Sequence, residues 1–293
     1  MKFRLSKNAK LTLITVLVCV FLTTFVLADA LLIPKTYAKV ENLSQTKDPG
    51  LSSVITDYAY KDEHITISIS SIIEEDVVYH VVDIVLSDIQ YLKSAFALDI
   101  YGKNVVAPTS EIAENNHAIL AFNGDFYGSR DDGLIIRNGI LYRDIPRKAP
   151  DNRALVIDEN GDFLFVTEGA TNGESLVNKG AIHSLSLGPV LVEDGKVLKI
   201  DPRLALSQSA RTAIGMIQPL HYLLIIVDGK NEDSKGMRLD TLAKLFVRLK
   251  AVSAYNLAGG SSTLWFNGKI INEPPSGLFF NEPAISDILF VGY

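Results

Sequence analysis

Isoleucine recurs at every second position of "HITISIS", His64–Ser70, against threonine and serine. This two-residue period predicts a strand with one buried face. "YHVVDIVL", Tyr79–Leu86, reads as another strand, while "LLIIV", Leu223–Val227, is apolar throughout and so predicts a central strand covered on both faces. Asn138-Gly139, Asp194-Gly195 and Asn267-Gly268 each separate two apolar segments. Asn-Gly and Asp-Gly supply the positive φ values that two-residue hairpin turns demand, so three hairpins are expected there. A fourth, with a longer turn, is expected over Arg153–Thr167. From Met237 to Val252 the period becomes helical: Leu239, Leu242, Leu245, Phe246 and Leu249 form one stripe, while Asp240, Lys244 and Arg248 recur every fourth residue opposite. The expected fold is α+β, a largely antiparallel or mixed β-sheet core with packed helices.

The N-terminus has a different pattern. Leu11 to Ala28 is 18 residues long, carries no charge and follows four basic residues. It is at the lower limit of a bilayer span and long for the core of a signal peptide. Residues 1–10 are therefore expected to form a cytoplasmic basic terminus, and 11–34 a transmembrane signal-anchor or a signal peptide, with the remainder exported. Cleavage sites are Ala30 and Ala38, the first weakened by Asp29. Residues 35–57 are polar and aperiodic and read as a linker. Residues 58–293, without repeats or low-complexity tracts, are expected to form one domain. The implied location is the cell membrane with an extracytoplasmic C-terminal domain, or the exterior if the signal is removed.

Composition narrows the chemistry. The 293 residues have a formal charge of −6, but residues 1–38 hold five basic residues and one acid, leaving 23 basic and 33 acidic residues beyond them. A body this acidic lacks the footprint for nucleic acid, so no nucleic-acid partner is expected. Cys19, the only cysteine, falls inside the apolar segment. The exported body thus has no disulfide, thiol nucleophile or thiolate metal site. The five histidines show no metal-ligand spacing, and His64, His80 and His221 lie in or beside expected strands, as structural residues do. No Gly-x-Ser-x-Gly elbow occurs. No cofactor is expected to be required, and no metal site is assigned, although Asp and Asn at loop ends suit incidental calcium.

Three stretches carry candidate chemistry. In "AILAFNGDFYG", Ala118–Gly128, an apolar strand runs into Asn123-Gly124-Asp125 and two aromatics. Such a strand end suits sugar hydroxyls, and Asn-Gly-Asp equally suits a simple turn. Arg211 offers a fork for phosphate, or equally a surface ion pair, and Asp228 follows the buried strand, where site residues emerge but where Asp228-Gly229 equally suits a turn. In "AYNLAGGSSTLWFNGKIIN", Ala254–Asn272, the amides of Gly259, Gly260 and Ser261 with the hydroxyls of Ser261, Ser262 and Thr263 can form an anion nest, or merely a bend into a hairpin. No lysine follows the glycines, so this is not a P-loop.

Taken in order, "AFNGDFYG", "GLIIRNGILY", "LGPVLVEDGK", "RTAIGM…LLIIVDGK", the amphipathic helix and "AYNLAGGSSTLWFNGKIINEPPS" resemble the phosphodiester glycosidase family. That family includes the mammalian enzyme that removes N-acetylglucosamine from a phosphodiester, and its bacterial members are often labelled exopolysaccharide biosynthesis proteins. The resemblance covers Ala118 to the C-terminus. It implies a hydrolase cleaving a sugar-1-phosphodiester, with a glycan or sugar-phosphate substrate in cell-surface glycan metabolism. Carried over by position, it implicates Asn123, Arg211, Asp228, Gly229, Asn256, Gly259, Gly260, Ser262 and Thr263. Ala258 stands where the family usually has Asp, and Asp125 where many members have Gly. Asp125 and Asp228 are then the candidate carboxylates and Arg211 the cation, while Asn123, Asn256 and Gly259 to Thr263 bind substrate. On this reading, Asp125→Asn abolishes turnover with little loss of stability. A non-catalytic glycan-binding or polymer-assembly factor, and a structural envelope protein, are the alternatives.

Overall fold

The computed structural model describes residues 7–40, 53–149, 152–274 and 282–293, without the side chain of Ser261. Nine antiparallel strands form the larger sheet. Its centre is the hairpin of Arg211–Gln218 and His221–Val227, flanked by Ser253–Leu257 on one side and Val77–Leu86 on the other. Ile65–Glu74 extends it, with Ile65, Ile67 and Ile69 buried as the alternation predicts. A five-stranded sheet, also antiparallel, holds Leu120–Asn123 between Leu264–Phe266 and Asp287–Val291.

The main core lies between these sheets, and a third, three-stranded sheet contributes Leu155, Ile157 and Leu185. The "LLIIV" run is uniformly apolar because its two faces meet different layers. Leu224 and Ile226 enter the inter-sheet core, whereas Leu223, Ile225 and Val227 pack beneath the Leu239–Arg248 helix. Gly215 makes room there for the Phe246 ring, which a Cβ would strike.

That helix is shorter than its apolar pattern, Met237 to Val252. Met237 is paired with Ser209 in an isolated bridge. At the other end Lys250 takes φ 70°, with Ala251 N donating to Phe246 O and Lys250 N to Val247 O. These two bonds are the Schellman stop. All three Asn-Gly and Asp-Gly hairpins form, with positive φ at both turn residues of each. The longer hairpin pairs Arg153–Asp158 with Phe163–Thr167.

The N-terminal apolar segment is a helix, Lys7–Leu31, in which no residue is buried. Its hydroxyls are satisfied internally, since Thr12, Thr15, Thr23 and Thr24 each donate to the carbonyl four residues earlier. The segment expected as linker starts differently. Lys35–Lys39 is a strand paired with Ile100–Lys103, and Ala38 and Val40 pack on Phe96, Tyr101, Tyr127 and Ile135. Its polar, aperiodic sequence hid this because the strand is an edge with little burial. Residues 41–52 of the expected linker lie outside the described residues.

Candidate active site

One end of the molecule collects the functional candidates because five strands start or finish there. Asn123 ends its strand, Val227 and Leu257 end theirs, and Arg211 and Leu264 begin theirs. Antiparallel pairing sets Arg211 opposite Val227, Thr212 opposite Leu257, and Leu264 opposite Phe122. Residues distant in sequence therefore meet at one rim.

The first cluster is a chain of hydrogen bonds. Asn123 Nδ2 donates to Ala258 O at 2.9 Å, and its Oδ1 accepts from Thr212 Oγ1 at 3.0 Å. Thr212 Oγ1 lies 2.9 Å from Ser262 Oγ, which also bonds Gly259 O. Asn272 Nδ2 donates to Ser262 O at 3.0 Å and reaches Asp228 Oδ1 at 3.4 Å. Asp228 Oδ1 also accepts from Glu273 N, and His80 Nε2 lies 3.7 Å away. His80 Nδ1 is held by Ser71 Oγ. Asn123 and Ser262, expected as substrate ligands, are thus the ties that fix the Gly-rich loop against the two sheets. Gly259 is forced by packing, because a Cβ would overlap Ala210 O and Arg211 Cα, whereas Gly260 faces open space.

The second cluster is ionic and begins two residues after Asn123. Asp125 is wholly buried; Oδ2 accepts from Ser186 N at 2.6 Å and Oδ1 from Arg137 Nη2 at 3.3 Å. Arg130 Nη2 lies 3.6 Å from Asp125 Oδ2. Arg137, also fully buried, bridges to Asp287, with Nη2 2.7 Å and Nε 2.8 Å from Oδ2. Burial pushes the Asp287 carboxyl up to about 6; the Arg137 charge opposes that rise and Asp125 adds to it. Gly124 separates the clusters, and a side chain there would strike the Asp287 carboxylate.

The structure divides the expected site residues between the two faces of the large sheet. Thr212 and Leu257 belong to the inter-sheet face, with Asn123 and Ser262. Arg211 and Asn256 share the opposite face with Ala213, which packs beneath the helix. Arg211 spends its fork on backbone, with Nε donating to Met237 O at 3.1 Å and Nη2 to Ser207 O at 2.6 Å. Its burial lowers the guanidinium pKa from the usual range. Asn256 Nδ2 donates to Gly188 O at 2.8 Å, beside the cis Gly188-Pro189 bond.

Sequence reading missed Arg130, Arg137, Asp287 and Asn272. Their signals were faint: an arginine directly before the Asn138-Gly139 turn, and a lone aspartate opening the apolar run of Asp287–Val291. Among the described residues, eight buried side-chain atoms lack a hydrogen-bond partner. Four of them belong to this rim: Arg130 Nε, His80 Nε2, Asn256 Oδ1 and Thr263 Oγ1. Unpaired buried polar atoms are costly, so their concentration marks a place built to meet a polar ligand. The side chain of Ser261 lies outside the described residues. Among the described residues no three His, Cys, Asp or Glu side chains group as a metal site.

The phosphodiester glycosidase family model matches residues 116–291, well over half of the chain and every element of this rim except His80 and Ser71. The chain belongs to the phosphodiester glycosidase family. A curated relative, the SPbeta prophage-derived uncharacterized protein YomE of Bacillus subtilis (strain 168), is 28% identical over 194 residues, covering 62% of this chain and 29% of the relative. The phosphodiester glycosidase chain described here therefore spans less than a third of that relative's length. Among solved structures, it is similar to the zebrafish N-acetylglucosamine-1-phosphodiester alpha-N-acetylglucosaminidase catalytic domain auto-inhibited by pro-peptide. The TM-score is 0.61 at 21% identity, covering 89% of this chain and 88% of that one. A hypothetical protein from Synechocystis matches with a TM-score of 0.52 at 14% identity, over 78% and 62% of the respective chains. At these identities the structural likeness establishes the fold.

Proposed function

We propose that the protein is an extracytoplasmic hydrolase that cleaves the bond between the anomeric carbon and a phosphate oxygen of a glycosyl phosphodiester in cell-surface glycan or exopolysaccharide metabolism. Family membership supports the bond class. The observation that carries the reading to this rim is that Arg130 Nε, beside Asp125, and His80 Nε2, beside Asp228, are buried without a hydrogen-bond partner, as are Asn256 Oδ1 and Thr263 Oγ1. The exposed apolar helix supports export of the domain.

In this mechanism Asp228 acts at the anomeric carbon, as nucleophile or as the base for water. Its backbone is fixed by Ser234 Oγ and its carboxylate by Asn272 and Glu273 N. Arg130 stabilises the charge that develops on the departing phosphate, and its orientation is set by Asp125. Arg211 adds positive charge from the opposite face. The amides of Gly259 and Gly260 meet phosphate oxygens, while Thr263 Oγ1 and Asn256 Oδ1 meet sugar hydroxyls. A phosphate is a good leaving group, so strong acid assistance is unnecessary.

A second reading, a glycan-binding factor with impaired turnover, is favoured by one observation. Ala258 offers only its carbonyl, and Asn123 already occupies it. Incubating the protein with an aryl phosphodiester of N-acetylglucosamine 1-phosphate separates the two. Release of free sugar together with an aryl phosphate is the expected result. Saturable binding without either product selects the second reading, and release of sugar 1-phosphate instead refutes cleavage at the anomeric carbon.

A further inference from the structure

Asn104 bonds both to the end of the apolar helix and to the loop that carries Asp125. Its side-chain Nδ2 donates to Ala30 O at 3.4 Å and Ile33 O at 3.2 Å, where the apolar helix ends. Its backbone N donates to Gly128 O at 2.9 Å, in the loop that carries Asp125 and Arg130. Asn104 takes φ 56°, a conformation that Asn accepts more readily than most residues. Beside it, Lys103 Nζ reaches Asp131 Oδ2 at 2.5 Å, a second tie to that loop.

No slack separates the helix from the domain. The helix ends at Leu31 and the paired strand begins at Lys35. Three intervening residues span about 10 Å at full extension. The helix itself, at 1.5 Å per residue, is about 37 Å long, enough for the roughly 30 Å hydrocarbon layer. Where it leaves such a layer, the Asp125 loop is held within a few residues of the surface. The segments tied together here expose apolar side chains: Leu32, Ile33 and Tyr37 follow the helix, Val106 lies two residues beyond Asn104, Phe126 is in the Asp125 loop, and each is between 41% and 74% accessible. Isolated exposed apolar residues are ordinary, but several carried by the end of an apolar helix and by the segments bonded to it fit a membrane-contacting rim.

We infer that this face rests in the membrane interface and that the glycosyl phosphodiester taken by the rim has a lipid as its second ester. The substrate class rests on the proposed hydrolysis; the membrane contact does not. In the reaction, the anomeric C–O bond breaks and water supplies the new anomeric hydroxyl. The remaining water proton goes to the phosphate, so free sugar leaves into solvent and a lipid phosphate monoester stays in the bilayer.

Two measurements on the full chain in phosphatidylcholine vesicles test this. In the first, tryptophan is placed at Val106 or Phe126, with Ile33→Trp as the membrane reference and Val85→Trp, at the far end of the sheet, as the solvent reference. Brominated lipids should quench positions 106 and 126 at least half as strongly as position 33. Quenching no greater than at position 85 overturns the membrane contact, whatever the catalytic outcome. In the second, a sugar-1-phosphate hexadecyl diester in the vesicles is compared with its methyl diester. The lipid ester should be hydrolysed at least about tenfold more efficiently, and Asn104→Gly, which tolerates the positive φ but cuts the tie, should shrink that preference. Equal rates overturn the lipid assignment, and hydrolysis of neither ester overturns it together with the glycosidase reading.

Discussion

Arg137 sits between Asp125 and Asp287 with all three side chains shut away from solvent. Removing the middle charge leaves two buried carboxylates facing each other, so Arg137→Met should cost about 3–5 kcal/mol in urea unfolding. A cost below about 1 kcal/mol would mean that the cluster is not held as described. The same burial revises the expectation for Asp125. It holds Arg137, Arg130 and the Ser186 amide together, so Asp125→Asn should lower stability along with turnover. Asp228, bonded to one amide side chain and one backbone N–H, is the better probe of chemistry. At the Gly-rich turn, adjacent glycines should behave oppositely: Gly259→Ala has to displace the Ala210–Arg211 backbone, whereas Gly260→Ala meets nothing. Thermal unfolding should show a drop of several degrees for the first and almost none for the second; equal drops would contradict the close approach.

At the scale of elements, strand Ala181–Leu185 carries the clearest pH signal. His183 is fully buried, its Nε2 donating to Leu92 O at 3.0 Å, and burial lowers its pKa to about 4. A histidine depressed in the folded state adds stability above the unfolded value near 6.5 and loses it as pH falls towards 4. Asp287, raised to about 6, has the reverse dependence: its contribution is present below about 4 and fades as pH rises through 6. His183→Gln removes the first dependence. The variant should be less stable at pH 7.5, yet lose less stability than the wild type between pH 7.5 and 5; parallel losses would refute the buried neutral histidine. Elements were legible in the sequence where period and turn chemistry agreed, as in the Ile65–Ile69 alternation and the three Asn-Gly and Asp-Gly hairpins. Lys35–Lys39 was not, because an edge strand needs only backbone partners and leaves no apolar period. The ionic cluster was not legible either. Arg137 and Asp287 are 150 residues apart, and only the closing of the five-stranded sheet onto the Gly133–Arg137 hairpin brings them together.

For the whole molecule, the architecture explains why one rim carries the polar site. Two antiparallel sheets share a core, and the strand ends carrying Asn123, Thr212, Asp228 and Leu257 converge where that core stops. Of the motifs that resemble the family in sequence, the Asn123 segment and the Gly-rich turn meet at this rim, whereas Asp194-Gly195 and Asn267-Gly268 turn at the other ends of their strands, beside Val252 and Ile119. The resemblance pointed to Asp125, Asp228 and Arg211 as a set. The structure instead associates Asp125 with Arg130 and Arg137, turns Arg211 to the helix side, and leaves Asp228 beside Asn272 and His80. The proposed hydrolysis therefore depends on Asp228. Its most direct test is release of free sugar from a glycosyl-1-phosphodiester by the wild type and by Asp228→Asn, with thermal unfolding of both measured in the same buffer. Sugar release by the wild type and a loss of at least about a hundredfold in the variant are expected, with unfolding temperatures nearly equal. Comparable turnover by the two proteins, or no release by a folded wild type, would contradict it.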